Sequence, residues 1–269
     1  MLAVRDEYAS PLSDAMLFDW HLTLLAHDRR VMLGAWRTHA EPMQVISGPI
    51  GKETVHFEAP PSEKMGEMMM SFINWFNATG PDAKMPIQHA PIRSAIAHLY
   101  FETIHPFEDG NGRIGRAISE KALSQGLGRP VVLSLSRAID GNKKAYYEAL
   151  KTAQRTNEIT PWLIYFLDIC LEAQSQAETQ IRFTLEKARY FDRFKDNFNE
   201  RQVMVLRRMM EDGPGTFEGG MSARKYVAIT KTSKATATRD LSDLVEMQAL
   251  IPSGGGRSVR YWLPFDQED

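Results

Sequence analysis

Residues 105–116 read HPFEDGNGRIGR, which places a base, a carboxylate, a glycine-rich turn and two arginines within one short stretch. His105 is the one side chain in it that ordinarily titrates near neutrality, so it suits proton abstraction from a hydroxyl. Gly110 and Gly112 permit positive φ angles, which let successive N–H groups converge on an anion. These features predict a site for a nucleotide phosphate.

The residues around the turn strengthen this prediction. The stretch from Asn111 to Gln125 is predicted to be a helix, whose N-terminus adds a partial positive charge. Arg113 and Arg116 are three apart, hence on one helix face, and guanidinium groups suit phosphate oxygens. Asp109 is a hard oxygen ligand suited to Mg²⁺, which usually takes one or two protein carboxylates together with phosphate oxygens.

Two other phosphate-binding motifs fit this stretch less well. Residues 110–115 satisfy GxGxxG, but that fingerprint requires a preceding strand. The preceding residues 90–104 instead show helical spacing of apolar side chains, so a dinucleotide fold is disfavoured. A P-loop is excluded because no Gly-Lys-Ser/Thr follows the glycines.

The stretch matches HxFx(D/E)GNGRxxR at every defined position, and so resembles the Fic (filamentation induced by cAMP) family. Residues 34–37, 44–60 and 75–77 look like the group of that family with an N-terminal helical region and a C-terminal winged helix. The resemblance covers nearly the whole chain. It implies a mainly α fold, a Fic helical bundle with a small β-hairpin flap, followed by a winged helix-turn-helix.

Fic proteins mostly transfer AMP from ATP to a hydroxyl of a target protein. The resemblance therefore implies a protein adenylyltransferase that acts on Ser, Thr or Tyr and also modifies itself, with His105 as base and Mg²⁺ on Asp109. The residues expected to bind ATP are Gly110, Asn111, Gly112, Arg113, Ile114, Gly115, Arg116, Asn142, Tyr146 and Tyr147. The residues expected to form a flap that docks the target chain by strand addition are Ser47, Gly48, Pro49, Ile50 and Gly51.

Within that site, finer roles are expected. Asn111 orients the α-phosphate, while Arg113 and Arg116 clamp the outer phosphates. One of Tyr146 and Tyr147 contacts the nucleotide and the other is structural.

The pattern along the chain predicts three parts. Residues 1–60 form the N-terminal helical region and the flap hairpin, with strands at 43–47 and 54–57. Residues 61–198 form the Fic core and a long connecting helix that starts at Thr160-Pro161. Residues 199–269 form the winged helix domain.

The C-terminal part is a candidate for DNA binding. Seven basic and three acidic residues between 222 and 263 give a net charge of +4. Lys234, Arg239 and Arg257 are the basic residues expected to contact phosphates. Protein contacts, including a homodimer, are an equally supported use of this domain.

Composition favours a cytoplasmic enzyme. The net charge is −2 and hydrophobic residues make up 43% of the chain. Cys170 is the single cysteine, so an internal disulfide is excluded and a reducing compartment is expected. The N-terminus is unlike a signal peptide, and no apolar run of about 18 residues predicts a membrane span.

Many Fic proteins carry an inhibitory helix, (S/T)xxxE(G/N), whose glutamate pairs with the last motif arginine. No match precedes Ser62, and residues 216–219 have the wrong spacing. The chain is then a shortened form, or a partner supplies the inhibitor in trans, and Arg116 is free for the γ-phosphate.

Two alternative functions remain open. One is a nucleotide-sensing DNA-binding regulator with a decayed Fic core, against which the intact His105 argues. The other is a Fic enzyme that uses another nucleotide, such as UTP, or removes AMP.

Overall fold

The computed structural model describes residues 6–26, 31–47, 54–195, 197–211 and 213–265. The chain divides into two compact units, Met1–Ser175 and Gln176–Asp269. The division falls inside one long helix, Thr160–Arg193. The boundaries after residues 60 and 198 stay predictions. Within the described ranges, no helix is both long and apolar enough to cross a lipid bilayer.

The first unit is mainly helical, which confirms the fold class expected from the sequence. Its helices are α1 (Asp14–Leu25), α2 (Met65–Ala78), α3 (Ala90–Ile104), α4 (Asn111–Leu127), α5 (Leu135–Gly141), α6 (Lys143–Ala153) and the first part of α7 (Thr160–Arg193). A short 3₁₀ turn, Ser62–Lys64, precedes α2.

One antiparallel hairpin interrupts the helices, as the sequence predicted. Strands β1 (Gln44–Ser47) and β2 (Thr54–Glu58) pair from Gln44 with Glu58 to Ser47 with Thr54. The register shifts between Val45 and Ile46, which twists the strand locally.

Helix α5 was not predicted from the sequence. It is short, and it begins where the Ser134 hydroxyl accepts a hydrogen bond from the Arg137 N–H. Its seven residues are too few to show a helical repeat of apolar side chains, so tertiary packing decides its conformation.

Helices α3 and α4 lie against each other and build the core of the first unit. Helix α3 begins with a proline in its first turn, and α4 ends at Gly128 in the left-handed conformation. The fully buried side chains of this core include Phe72, Phe76, Phe101, Phe107, Ile114 and Ile118. Burial of each such side chain contributes about 1.5–3 kcal/mol, so this cluster fixes where the loop between α3 and α4 lies.

The second unit contains three further helices and a second hairpin. These are α8 (Glu200–Met209), α9 (Ala223–Thr230), α10 (Lys234–Glu246), β3 (Ile251–Ser253) and β4 (Arg260–Trp262). Strands β3 and β4 are antiparallel, and Met221 forms an additional bridge to Tyr261. The order of elements is compatible with a winged helix, which stays a prediction.

A buried carboxylate joins the helices of the second unit. Asp240 of α10 is 3% exposed and accepts hydrogen bonds from Arg201 Nε at 2.8 Å and from the Tyr226 hydroxyl at 2.9 Å. Asn199 Nδ2 donates to the same carboxylate at 3.2 Å. Because a buried charge must be paired, this network holds α8, α9 and α10 in one arrangement.

The close approach of α3 and α4 generates a stability prediction. A Cβ at Gly126 of α4 would collide with Ala90 at the start of α3. We expect Gly126→Ala to lower the free energy of unfolding by about 2 kcal/mol, since the helices must separate. Urea unfolding followed by tryptophan fluorescence measures this, because four of the five tryptophans lie in the first unit.

Gly66→Ala in α2 is the matched control. A Cβ at Gly66 has no described atom within 4 Å, and alanine favours helix, so stability should rise by about 0.5 kcal/mol. Equal stability changes in the two variants would contradict the packing argument.

Candidate active site

The loop between α3 and α4 carries the predicted base in an uncommon backbone conformation. His105 follows α3 with φ 53° and ψ 60°, the left-handed region that non-glycine residues seldom occupy. Its N–H donates to the Phe101 carbonyl oxygen at 2.9 Å, so it ends the helix as a left-handed cap. The turn directs the imidazole into a cavity, where its side chain is 12% exposed.

A buried arginine from a distant part of the chain holds this turn. Arg37 is 1% exposed, and its Nε donates to the His105 carbonyl oxygen at 2.8 Å. Its backbone N–H donates to the Pro106 carbonyl oxygen at 2.9 Å. The guanidinium also donates to Ser62 Oγ at 2.8 Å and to the Pro60 carbonyl oxygen. Since a buried guanidinium needs partners for its donors, Arg37 couples the loop to the chain that follows the hairpin.

The Asn111 amide forms a second set of hydrogen bonds inside the loop. Its Oδ1 accepts from the Phe107 N–H at 2.9 Å, and its Nδ2 donates to the Phe107 carbonyl oxygen at 2.8 Å. The Phe107 ring is fully buried and stacks on the His21 ring, with 4.1 Å between the ring centroids. Asn111 therefore positions the loop, and its contact with an α-phosphate stays a prediction.

The glycine turn leads directly into α4. Gly110 has a φ of 84°, a conformation that strains other residues, and a Cβ there would press against Leu24 and Leu25. The N–H groups of the first turn of α4 follow it and carry the partial positive charge of a helix N-terminus, and among them the Arg113 N–H donates to the Gly110 carbonyl oxygen at 3.1 Å. This end of α4 can therefore bind an anion.

The residues at the mouth of the turn fit Mg²⁺ bound together with a phosphate substrate. The Asp109 side chain is 53% exposed, and its Oδ2 lies 3.5 Å from Arg113 Nη2. No cluster of three or more candidate metal ligands occurs in the described residues. One accessible carboxylate beside an anion site matches the preference of Mg²⁺ for few protein ligands plus phosphate oxygens.

The imidazole, the first turn of α4 and the last motif arginine share a cavity of about 110 Å³. Its lining residues are Phe57, Glu102, His105, Gly112, Arg116, Tyr146, Tyr147, Leu150, Lys151 and Gln154. Phe57 belongs to β2, so the hairpin lies beside the cavity. Arg116 Nε donates to Ser136 Oγ at 2.8 Å, and within the described chain no carboxylate forms an ion pair with Arg116.

A larger cavity, about 440 Å³, contains none of the motif residues. Arg93 is its buried cation, and it already donates to the Phe76 carbonyl oxygen at 2.7 Å and to Gln125 Oε1 at 3.0 Å. Because these donors of Arg93 already have partners within the protein, we assign the functional site to the smaller cavity.

Burial controls the ionisation of the groups around the small cavity. It lowers the pKa of His105 to about 4, an effect that the Glu102 backbone carbonyl opposes and Arg37 reinforces. It raises the pKa of Glu102 to about 7, against the opposing charge of Arg116. At neutral pH the imidazole is therefore unprotonated and able to accept a proton.

The structure brings some of the predicted nucleotide-binding residues together and separates others. Tyr146 and Tyr147 both line the cavity, and the buried Tyr146 hydroxyl lies 2.8 Å from His98 Nε2. Asn142 caps α6 through a hydrogen bond from the Ala145 N–H and does not line the cavity. The side chain of Ile114 is buried in the core, where it supports α4, and a contact of this residue with the nucleotide stays a prediction.

The flap and the second unit contain the remaining predicted residues. Ser47 ends β1, whereas Gly48, Pro49, Ile50 and Gly51 lie outside the described residues.

In the second unit, Lys234 and Arg239 are exposed on α10, and Arg257 lies in the 3₁₀ turn Gly256–Ser258. Their contact with DNA stays a prediction.

The sequence did not reveal the roles of His98, Glu102 and Arg37 in the site. His98 and Glu102 are spaced i and i+4, which places them on one face of α3, and the predicted base His105 follows the end of that helix. Titratable groups at that spacing inside an apolar helix were the available signal. Arg37 gave no local signal, because its partners lie far along the chain.

Comparison with known proteins agrees with the motif. Residues 11–123 match the profile of the Fic/DOC family. The chain is 30% identical over 135 residues to "Protein adenylyltransferase Fic" of Nematostella vectensis, which covers 50% of this chain and 29% of that protein. It is 28% identical over 142 residues to "Protein adenylyltransferase fic-1" of Caenorhabditis briggsae. This alignment covers 53% of this chain and 25% of that protein. The chain thus spans less than a third of the length of these curated relatives.

Solved structures show the same fold. A Fic family protein from Desulfovibrio desulfuricans G20 has a TM-score of 0.52 at 20% identity, and covers 97% of this chain and 72% of that chain. A Fic domain containing signaling protein from Bacteroides thetaiotaomicron VPI-5482 has a TM-score of 0.51 at 24% identity, over 65% of this chain and 66% of that chain. Residues 11–123 thus match the Fic/DOC family profile, and the fold of the chain is similar to that of solved Fic proteins.

The hydrogen bonds of Arg37 generate the prediction for this site. We expect Arg37→Met to lower the free energy of unfolding by about 3 kcal/mol, because several buried carbonyl groups lose their donor. Urea unfolding measures the change, with exposed Arg137→Met as control. If the two variants unfold alike, Arg37 does not hold the loop.

Proposed function

We propose that this chain, through its Fic domain, transfers AMP from ATP to a hydroxyl group of a protein. The observation that carries the proposal is the shared cavity of His105, Gly112 and Arg116 at the N-terminus of α4. It combines a proton acceptor with an anion site. The relatives named protein adenylyltransferase support AMP as the transferred group.

In the proposed reaction, a Ser, Thr or Tyr oxygen of the target attacks the α-phosphorus of ATP. The new oxygen–phosphorus bond forms as the bond from the α-phosphorus to the bridging oxygen breaks, and pyrophosphate leaves with that electron pair. The hydroxyl proton goes to His105, which burial keeps unprotonated. General base catalysis typically contributes about 10²–10⁴-fold, and charge stabilisation supplies much of the rest.

The chain offers several groups for the phosphates. The N–H groups of Asn111 and Gly112 and the dipole of α4 attract an anion, while the Gly110 N–H donates to Asp109 Oδ1; Arg116 lines the same cavity as Gly112. Arg113 exchanges its pairing with Asp109 for a phosphate oxygen. Mg²⁺, held by Asp109, neutralises phosphate charge when it is bound.

The hairpin is the proposed docking surface for the target protein. Phe57 of β2 lines the cavity, and Val55 of the same strand is 48% exposed. Because an exposed strand edge pairs readily with an extended segment, a target chain added to the hairpin places a hydroxyl near His105.

The first functional prediction concerns the base. The wild-type chain incubated with labelled ATP and Mg²⁺ should label itself or lysate proteins, and His105→Ala should lower that transfer by about 100-fold or more. ATP binding by calorimetry should change little, since the imidazole acts on the incoming hydroxyl. Intact mass spectrometry identifies the added group.

His39→Ala is the control, since His39 lies outside the cavity. Parallel reactions with labelled UTP test the alternative nucleotide. Transfer by His105→Ala within a few-fold of wild type would falsify the assignment of the base. No transfer by a chain that binds ATP would favour nucleotide sensing.

One observation favours DNA binding by the second unit as a second candidate function. Helix α10 exposes Lys234, Thr238, Arg239 and Ser242 at i, i+4, i+5 and i+8, while Asp240 is turned inward to Arg201. A helix face of basic and hydroxyl side chains is typical of recognition helices.

The expected result is binding of a labelled DNA duplex that weakens steeply with salt, measured by fluorescence anisotropy. The double change of Lys234 and Arg239 to Ala should weaken binding by about tenfold or more. Changing the exposed Lys195 and Arg207 of the same unit to Ala should have a smaller effect. Equal affinity of the two double variants, or no binding at low salt, rules out α10 as the DNA-contacting element.

A further inference from the structure

Three buried side-chain atoms in and next to the proposed base have no partner that meets hydrogen-bond geometry: His98 Nδ1, Glu102 Oε1 and His105 Nδ1. The backbone carbonyl groups of Gly115 and Glu102 still raise the pKa values of His98 and His105, respectively. His98 and Glu102 lie one turn apart on α3 and face Gly115 of α4, and His105 follows the end of α3. Because unsatisfied buried polar atoms are costly, such a cluster indicates groups kept for function.

Glu102 is the central member of this cluster. Its side chain is 6% exposed, and its Oε2 lies 3.8 Å from Nδ1 of His105. It lines the cavity together with Arg116 and Tyr146. A Cβ at Gly115 would collide with Glu102 Oε1, so the absence of a side chain there makes room for the carboxyl group.

The charged and titratable groups facing Glu102 come from three helices. His98 lies one turn before it on α3, Arg116 belongs to α4, and Tyr146 belongs to α6. Burial lowers the pKa of His98 to about 4 and raises that of Tyr146 well above its usual range, so both stay neutral at neutral pH.

The groups around His105 act on its protonation in opposite directions, and their effects cancel only in part. The Glu102 carbonyl and Asp109 favour the imidazolium, whereas burial and Arg37 oppose it. In the described structure, Glu102 is the carboxylate that forms a His–carboxylate contact with His105.

We infer that Glu102 is a positioning residue for the proposed base: its carboxylate accepts the Nδ1–H of His105, and its negative charge stabilises the imidazolium. This inference rests on the proposed function. The 3.8 Å between His105 Nδ1 and Glu102 Oε2 is longer than a hydrogen bond. Contacts of this kind often shorten only when substrate is bound.

The consequence for proton transfer follows directly. With Nδ1–H facing Glu102, Nε2 carries the lone pair and takes the proton of the target hydroxyl. An imidazole whose pKa burial has lowered is a weak proton acceptor. An ionised Glu102 offsets this by attraction to the imidazolium, and the proton stays on Nε2 until solvent or product removes it.

Glu102 makes the reaction depend on pH. Its pKa of about 7 means that the carboxyl is mostly neutral below pH 7 and ionised above it. The active pair is ionised Glu102 with neutral His105. The rate should therefore rise with pH through about 7 and level off above it.

The test compares Glu102→Gln, which keeps the shape and removes the charge, with Glu102→Asp, which keeps the charge. We expect Glu102→Gln to lower kcat by about tenfold or more, to leave the KM for ATP within a few-fold and to lose the rise near pH 7. Glu102→Asp should recover part of the rate. The exposed Glu67→Gln is the matched control. A loss confined to the KM for ATP would assign Glu102 to the nucleotide, through Arg116, and overturn the inference.

A second measurement is independent of activity, and its wild-type part does not depend on how the Glu102 variants fold. The ring nitrogen signals of His105, identified by their loss in His105→Ala, should show the Nδ1–H tautomer and an inflection near pH 7 in the wild-type chain. In Glu102→Gln that inflection should vanish. An Nε2–H tautomer, or a wild-type titration without the inflection, overturns the inference even if AMP transfer is observed. If no AMP transfer is observed, the proposed function fails while these spectra still test the Glu102–His105 pair.

Discussion

The buried guanidinium of Arg37 is the interaction on which the site depends, because it ties together stretches that are far apart in the chain. It binds the loop at His105 and Pro106, and it binds the exit of the hairpin at Pro60 and Ser62. The hairpin and the base are thereby held in one arrangement, which explains why Phe57 of β2 can line the cavity. A lysine could not substitute, since only the planar guanidinium presents donors in several fixed directions. The desolvation cost of a buried cation is offset here by carbonyl groups that would otherwise lack donors.

One face of helix α3 packs in the hydrophobic core, and another face carries the buried polar side chains of the site. Phe101 belongs to the core, whereas His98 and Glu102 face Gly115 of α4, and Glu102 also lines the cavity. Two polar side chains can be buried there because α4 has a glycine at position 115. That glycine completes a GxGxxG pattern in the sequence, yet its role in the fold is to admit the Glu102 carboxyl group between two helices. The resemblance to a dinucleotide fingerprint therefore arises from helix packing.

Much of this arrangement could be predicted from the sequence, and the rest could not for physical reasons. The spacing of apolar residues predicts α3, and the glycines with their flanking residues predict a turn into α4, because these depend on local conformation. The buried position of Asn111 could not be predicted, because an asparagine at this place in the motif suits a contact with a ligand as well as a contact within the loop. Arg37 depends on partners brought near by the tertiary fold, and α5 is too short to show a periodic pattern. The spacing of the polar residues of α3 already places them on one helix face, but only the tertiary structure shows that this face is buried.

The charges of the site are balanced within the protein, and this shapes how a triphosphate could enter. Arg113 is paired with Asp109, and Arg116 is held by the neutral Ser136 hydroxyl. In the proposed reaction Asp109 would hold the metal ion, and Arg113 would then be free to pair with a phosphate oxygen. Asp109 and Arg113 would each exchange one partner for another, so the desolvation cost would be smaller than for burying an unpaired charge. Under this proposal, binding of the metal and binding of the phosphates would be coupled, because neither exchange is complete without the other.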